Sequence, residues 1–199
     1  MITTQKMKEL EEKSLEVGIT KQQLMENAGK GISDVIKEKY DIKNKKILIV
    51  CYHGNNGGDG FVSARYLSDI AEVDVLFIGD EQKLKNSARL NYMKLLHNER
   101  IQFVEDSELI DFDDFDIIID AILGIGFYSN LRDDIKDIIQ KINDSKAIKI
   151  AVDVPTGINA DTGAKGERYV NADLIITLHD IKQGLMDIRD KCVVVDIGL

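Results

Sequence analysis

Apolar positions follow two rhythms along this chain. The first forty residues carry two helical patterns, over roughly 4–16 and 20–39, and the second opens on Thr20-Lys21-Gln22-Gln23, a capping arrangement that marks a helix start. Leu24, Ala28, Val35 and Ile36 give that second helix one apolar face. From Lys46 to Cys51 the rhythm changes to an uninterrupted apolar run, as expected for a strand covered by helices on both faces. Similar runs recur at Val73–Ile78, Ile101–Val104, Phe115–Ile119, Ile148–Val152, Leu174–Leu178 and Cys192–Val195, and helix-like stretches separate most of them. This alternation predicts an α/β fold with a parallel, doubly wound sheet.

Length and composition narrow the picture. The 199 residues suffice for one core between two helical layers, and no repeat, low-complexity tract or linker divides them. One domain over 1–199 is expected, with two helices preceding the sheet. Hydrophobic residues make up 44% and charged residues 31%, a globular balance. No apolar run reaches the roughly 18 residues of a membrane span, and the lysine- and glutamate-rich N-terminus lacks a secretory signal's apolar stretch. A cytoplasmic protein with no membrane association is therefore expected. The net charge of −9, without a dense basic stretch, argues against nucleic-acid binding. Cys51 and Cys192 lie in apolar runs without metal-ligand spacing and read as buried reduced thiols.

In an open parallel sheet, ligands lie beyond the carboxyl ends of the strands, so the residues after each strand are the natural candidates. Strand one leads into Tyr52-His53-Gly54-Asn55-Asn56-Gly57-Gly58-Asp59-Gly60, strand four into Asp120 to Gly126, strand five into Asp153-Val154-Pro155-Thr156-Gly157, and strand six into Thr177 to Gly184. The glycine run lacks the Gly-Lys-Ser/Thr of a P-loop and the G-x-G-x-x-G spacing, yet it has the character of an anion cradle. Glycine permits close backbone approach, and a helix beginning near Gly58 would aim free N–H groups at a ligand. The plainer alternative is a tight turn with no ligand. Asp59 suits ribose hydroxyls or the positive end of that helix, with little to choose between them locally. Asn56, Asp120 and Thr156 offer hard oxygens with one formal charge, a set suited to a monovalent cation or loosely held magnesium; otherwise Asp120 and Asp153 simply cap loops. Arg132 and Lys182 are weaker candidates for neutralising phosphate, since lone basic residues in loops are generally solvated. His53, His97 and His179 form no ligand set, and Asp80 to Lys94 reads as an exposed helix face.

Several blocks together resemble the NAD(P)H-hydrate epimerases, the YjeF N-terminal domain family. They are Leu24 to Gly29, Gly54 to Gly60 with Ala64-Arg65, Asp120 to Gly126 with Arg132, Asp153 to Gly157, Lys182 to Leu185, and Asp196-Ile197-Gly198. The resemblance spans nearly the whole chain in the right order. It implies a Rossmann-like three-layer α-β-α sandwich with a mostly parallel central sheet. It further implies an isomerase that interconverts the R and S forms of hydrated NADH or NADPH, so that a partner dehydratase, possibly fused in a longer chain, can restore the cofactor. On that resemblance, the substrate contacts are Asn55, Asn56, Gly57, Gly58, Asp59, Gly124, Ile125, Gly126, Phe127, Tyr128, Ser129, Asn130, Arg132 and Asp153. Asn56, Asp120 and Thr156 match the family's potassium ligands, one ion per subunit, and the family suggests a homodimer. Asp153 is the candidate general acid/base. The rival reading is a non-catalytic nucleotide- or RNA-associated scaffold of the same fold; intact Asn56, Asp59, Asp120 and Asp153 argue against it. Two departures stand out: Tyr52-His53 replaces the usual Gly-Pro, and Thr156 replaces the commoner serine.

Overall fold

The computed structural model describes residues 1–127 and 130–199. Two helices come first, α1 (Thr4–Lys13) and α2 (Lys21–Lys39). Thr20 caps α2 as its sequence predicts, its side chain accepting a hydrogen bond from Gln23 N at 3.2 Å. Seven strands follow: β1 (Lys46–Cys51), β2 (Glu72–Phe77), β3 (Ile101–Val104), β4 (Ile117–Ala121), β5 (Ile148–Val152), β6 (Leu174–Leu178) and β7 (Cys192–Val195). They form one sheet in the order β3-β2-β1-β4-β5-β6-β7, and every pairing is parallel.

Three further helices are α3 (Asn55–Leu67), α4 (Asn86–Leu96) and α5 (Asp133–Asp144). Alternate residues of β1 feed opposite cores, as a pleated strand requires. Ile47, Ile49 and Cys51 pack with residues of α2, α3 and α4, whereas Leu48 and Val50 pack with the Ile135, Ile138, Ile139 and Ile142 stripe of α5. That stripe has the i, i+3, i+4, i+7 spacing of a helix with one buried face. The three-layer α/β architecture inferred from the sequence is thus present, with a sheet that is wholly parallel.

Chain direction reverses between β1 and β4. From β1 the chain passes through α3 to β2 on one side, and from β4 through α5 to β5 on the other. The crevice at such a switch point is where an open α/β sheet binds ligands.

Two boundaries differ from those expected. The helix after β1 begins at Asn55, not near Gly58, so Asn55 to Gly60 open α3 and Gly54 is its N-cap. Strand β4 runs on to Ala121, which places Asp120 inside the sheet, opposite Val50 and Ala151. Between β5 and β6 there is no helix: residues 153–173 cross irregularly, carrying Asp153 and Thr156. A connection that long without regular structure is uncommon in a compact domain and usually functional. Cys51 is buried as expected and Cys192 half-buried; both are free. Among the described residues no helix is long and apolar enough to cross a membrane.

Candidate functional site

The start of α3 shows what the glycines do. None of Gly54, Gly57, Gly58 and Gly60 has a positive φ, so none serves a left-handed turn. Three of them are needed for contact, whereas a Cβ on Gly54 would meet nothing within 4 Å. A Cβ on Gly57 would lie 1.7 Å from the Tyr52 carbonyl oxygen, and one on Gly60 would lie 2.6 Å from Ala121 Cβ and 2.7 Å from Cys51 Sγ. One on Gly58 would meet Met25 Cε at 2.5 Å. The helix is therefore pressed onto the ends of β1 and β4 and onto α2. Gly54 caps it without a side-chain hydrogen bond, which leaves the first-turn amides of Asn55, Asn56 and Gly57 available to an anion. Asn55 is exposed there, while Asn56 is buried with its amide nitrogen unpaired. A buried amide with no partner in the fold points to a ligand.

Asp120 projects from β4 into a tight knot. Its Oδ1 accepts from Thr156 Oγ1 at 2.6 Å and Ile122 N at 3.2 Å, and its Oδ2 accepts from Thr156 N at 2.8 Å. Burial raises its pKa to about 6, against the lowering effect of those hydrogen bonds. The Thr156 hydroxyl also accepts from Leu123 N at 3.0 Å. The sequence therefore brings a buried carboxylate and a hydroxyl together, with Oδ2 keeping acceptor capacity beyond its single protein donor. These donors are hard oxygens, and a buried carboxylate gains from a nearby cation, so the pair fits a potassium-type ion.

Asp153 occupies the left-handed region with φ 64, a conformation that non-glycine residues hold only where surrounding contacts enforce it. Its backbone N donates to Ile176 O at 2.8 Å. Its Oδ1 accepts from Leu178 N at 3.2 Å and is ion-paired with the ammonium of Lys182, which is wholly buried. Lys182 thus faces inward, paired with Asp153, and is neither of the two things considered from sequence, a phosphate-neutralising or a solvated loop charge. Around Gly124 the site closes up: a Cβ there would lie 3.0 Å from Asn56 Oδ1 and 3.3 Å from Asp153 Oδ2. The ends of α3, β4 and β5 thus meet at one point.

Two more carboxylates face this cluster. Asp59 is buried, and its pKa is pushed well up, chiefly by burial and then by the charges of Asp153 and Glu11, with Lys182 opposing. Glu11 of α1 has a raised pKa for the same reasons, burial first and Asp153 second. The sequence reading missed Glu11, although a signal existed. Thr4, Met7, Glu11 and Ser14 share one seam of α1, and the other three are buried.

The loop after β4 is less uniform. Gly124 and Ile125 are half-buried, Gly126, Asn130 and Arg132 are exposed, and Phe127 is buried, with its ring 3.2 Å from where a Gly166 Cβ would stand. Tyr128 and Ser129 lie outside the described residues. Arg132 precedes α5, pairs with Asp134 at 2.6 Å and donates to the Tyr52 hydroxyl at 3.3 Å. Tyr52 and His53, the pair that departs from Gly-Pro, stack at a centroid distance of 3.8 Å, and His53 Nδ1 accepts from Asp80 N at 3.2 Å.

Comparison with known proteins places the chain among relatives of one family. The NAD(P)H-hydrate epimerase of Elusimicrobium minutum is 39% identical over 212 residues, covering all of this chain and 95% of that protein. The Bifunctional NAD(P)H-hydrate repair enzyme Nnr of Methanopyrus kandleri is 35% identical over 198 residues, covering 95% of this chain but 39% of its own length. The chain thus spans about two fifths of such bifunctional relatives. The crystal structure of the yeast protein ynu0 superposes with a TM-score of 0.82 at 25% identity, covering 98% of this chain and 87% of the yeast chain. The family model described as YjeF-related protein N-terminus matches residues 21–184, which include α3, the Asp120–Thr156 knot and the Asp153–Lys182 pair. With that match and full-length relatives above 30% identity, the chain belongs to the YjeF-related N-terminal family.

Proposed function

We propose that this protein is an isomerase that interconverts the R and S forms of hydrated NADH and NADPH, repairing damaged nicotinamide cofactors together with a dehydratase. The observation that carries this reading is the convergence of Asn56, Gly124 and Asp153 beside the open first turn of α3. It puts diphosphate-binding amides next to a carboxylate that can exchange a proton. Relatives named for this epimerisation match nearly the whole chain, and bifunctional relatives carry the repair activities in one longer protein.

Epimerisation at C6 of the reduced ring must break and re-form one bond at a carbon that bears a hydroxyl and the ring nitrogen. Whether the hydroxyl departs or the ring opens, one proton is taken up and one returned, so a single carboxylate can serve both directions. Asp153 holds that role, with Oδ2 facing the substrate. The Asn55, Asn56 and Gly57 amides hold the diphosphate, and Gly124 to Phe127 cover the ring and exclude water. Asn56, Asp120 and Thr156 would hold one potassium ion per subunit, which supplies a fixed positive charge beside the substrate. The enzyme acts in the cytoplasm as a homodimer.

The test is direct. Hydrated NADH enriched in one epimer is incubated with the protein, with and without potassium, and the epimer ratio is followed. Equilibration faster than the spontaneous rate is expected, and faster still with potassium. A ratio that relaxes no faster than without protein would refute the proposal.

A further inference from the structure

The proposed activity rests on Asp153, and the structure shows how that carboxylate is held. The Lys182 ammonium is wholly buried and has three N–H bonds to place. It meets three acceptors: Leu178 O at 2.6 Å, Thr177 Oγ1 at 3.2 Å, and Asp153 Oδ1. A buried ammonium persists only when paired and hydrogen-bonded in this way. Oδ1 of Asp153 also receives Leu178 N at 3.2 Å and the Thr177 hydroxyl at 3.5 Å. The other oxygen, Oδ2, is the one that faces Gly124 and Asn56. The two oxygens of one carboxylate thus have different surroundings.

Residues outside the matched family segment hold the lysine from behind. Ile2 N donates to Ile181 O at 2.9 Å, and Gln183 N donates to Ile2 O at 3.2 Å, so the N-terminus pairs with Lys182 like a short parallel strand. Thr4 adds bonds from its backbone N at 2.7 Å and its hydroxyl at 2.6 Å to Asp161, in the crossover that begins at Asp153. Of the carboxylates near this ammonium only Asp153 pairs with it directly, and the backbone clamp holds the lysine segment in place behind that pair.

We infer that Lys182 is a positioning residue: by tying down Oδ1 of Asp153 it fixes the carboxylate so that Oδ2 alone is presented to the substrate. This rests on the epimerase reading for its consequence but on geometry for its substance. The experiment compares the wild type, Asp153→Asn, Lys182→Met and the double variant, measuring kcat and KM for epimer exchange. Crystal structures of the wild type and Lys182→Met accompany the kinetics. For Lys182→Met, kcat should fall about 100-fold with KM changed less than about 3-fold, as for loss of an aligned acid/base group. The double variant should be no slower than Asp153→Asn alone, because both changes remove one function. In the Lys182→Met crystal the Asp153 carboxylate should have rotated away from Gly124.

Wild-type kcat in Lys182→Met, or a double variant slower by the product of both losses, would overturn the inference. So would an unmoved Asp153 carboxylate. If the wild type does not exchange epimers at all, the activity reading fails and the two crystal structures decide the positioning role. If Lys182→Met does not fold, Thr177→Val removes one ammonium acceptor and takes its place. A lower kcat at constant KM supports the inference, and an unchanged kcat rejects it.

Discussion

The carboxyl edge of the sheet has two halves that handle charge in opposite ways. At the ends of β4, β5 and β6 a core of ionisable groups is buried: Asp153 and Lys182 have side chains 9% and 0% exposed, and Asp120 is 1% exposed. At the ends of β2 and β3 lies an open cleft of about 700 Å³, lined by Asp80, Glu81, Glu105, Asp106 and Glu108. There the ion pairs are wet: Asp80 with Lys83 and Glu108 with Lys141 have carboxylates 46% and 76% exposed. Exposed pairs contribute about 0–1 kcal/mol each, whereas removing one partner of a buried pair costs several. The difference teaches where chemistry can be held in place. Fixed geometry needs burial on several sides, and only the switch-point half has the long crossover, α3 and the N-terminal clamp stacked over it.

The predictions that follow probe this contrast, beginning where the effect should be greatest. Asp153→Asn keeps the shape of the side chain but removes the exchangeable proton; kcat for epimer exchange should fall roughly 10²–10⁴-fold. Wild-type equilibration at saturating substrate would remove Asp153 from the mechanism. Gly57→Ala attacks the packing beneath the same half. With a Cβ directed to 1.7 Å from the Tyr52 carbonyl, α3 must shift, and stability should drop by about 1–3 kcal/mol, read as a lower midpoint in urea. A midpoint within error of wild type would mean that the helix is not pressed against β1. Thr156→Val removes the hydroxyl that joins Asp120 and keeps the size; the potassium concentration for half-activation should rise about 10-fold or more.

Asp59 gives a pH test with a defined sign. Its folded pKa lies well above the roughly 3.9 of an unfolded aspartate, so its stabilising effect is complete below that value and is lost as pH rises through the folded pKa. Asp59→Asn should therefore melt higher than the wild type at pH 8, with the gap closing toward pH 4. A gap that widens on acidification would contradict the burial account. The smallest effect belongs to the open cleft: Asp80→Asn should leave stability within about 0.5 kcal/mol and kcat nearly unchanged. A large loss there would erase the distinction between the two halves.

Much of this was legible in the sequence because the signals are local. The apolar runs gave all seven strands to within a few residues, and the Thr20 cap fixed the start of α2, since a strand or helix announces itself over about ten residues through its periodicity. The blocks around Asn56, Asp120 and Asp153 were also readable, because a parallel sheet brings all its carboxyl ends to one edge.

What the sequence could not settle was decided by contacts between distant segments. The glycines after β1 read as a ligand-cradling turn with a helix starting near Gly58, yet Gly57, Gly58 and Gly60 are all helix positions whose hydrogens face Tyr52, Met25 and Ala121. Asp120 read as a loop residue, yet pairing with β1 and β5 extends β4 beyond it. Lys182 read as a solvated surface charge, because nothing near it in sequence marks Asp153 as its partner. That pairing depends on the register of β5 against β6 and on Ile2 docking beside Lys182. Local pattern encodes which segments are strands and helices; which charges become buried together is a property of the packed whole, where desolvation makes the choice of partner matter.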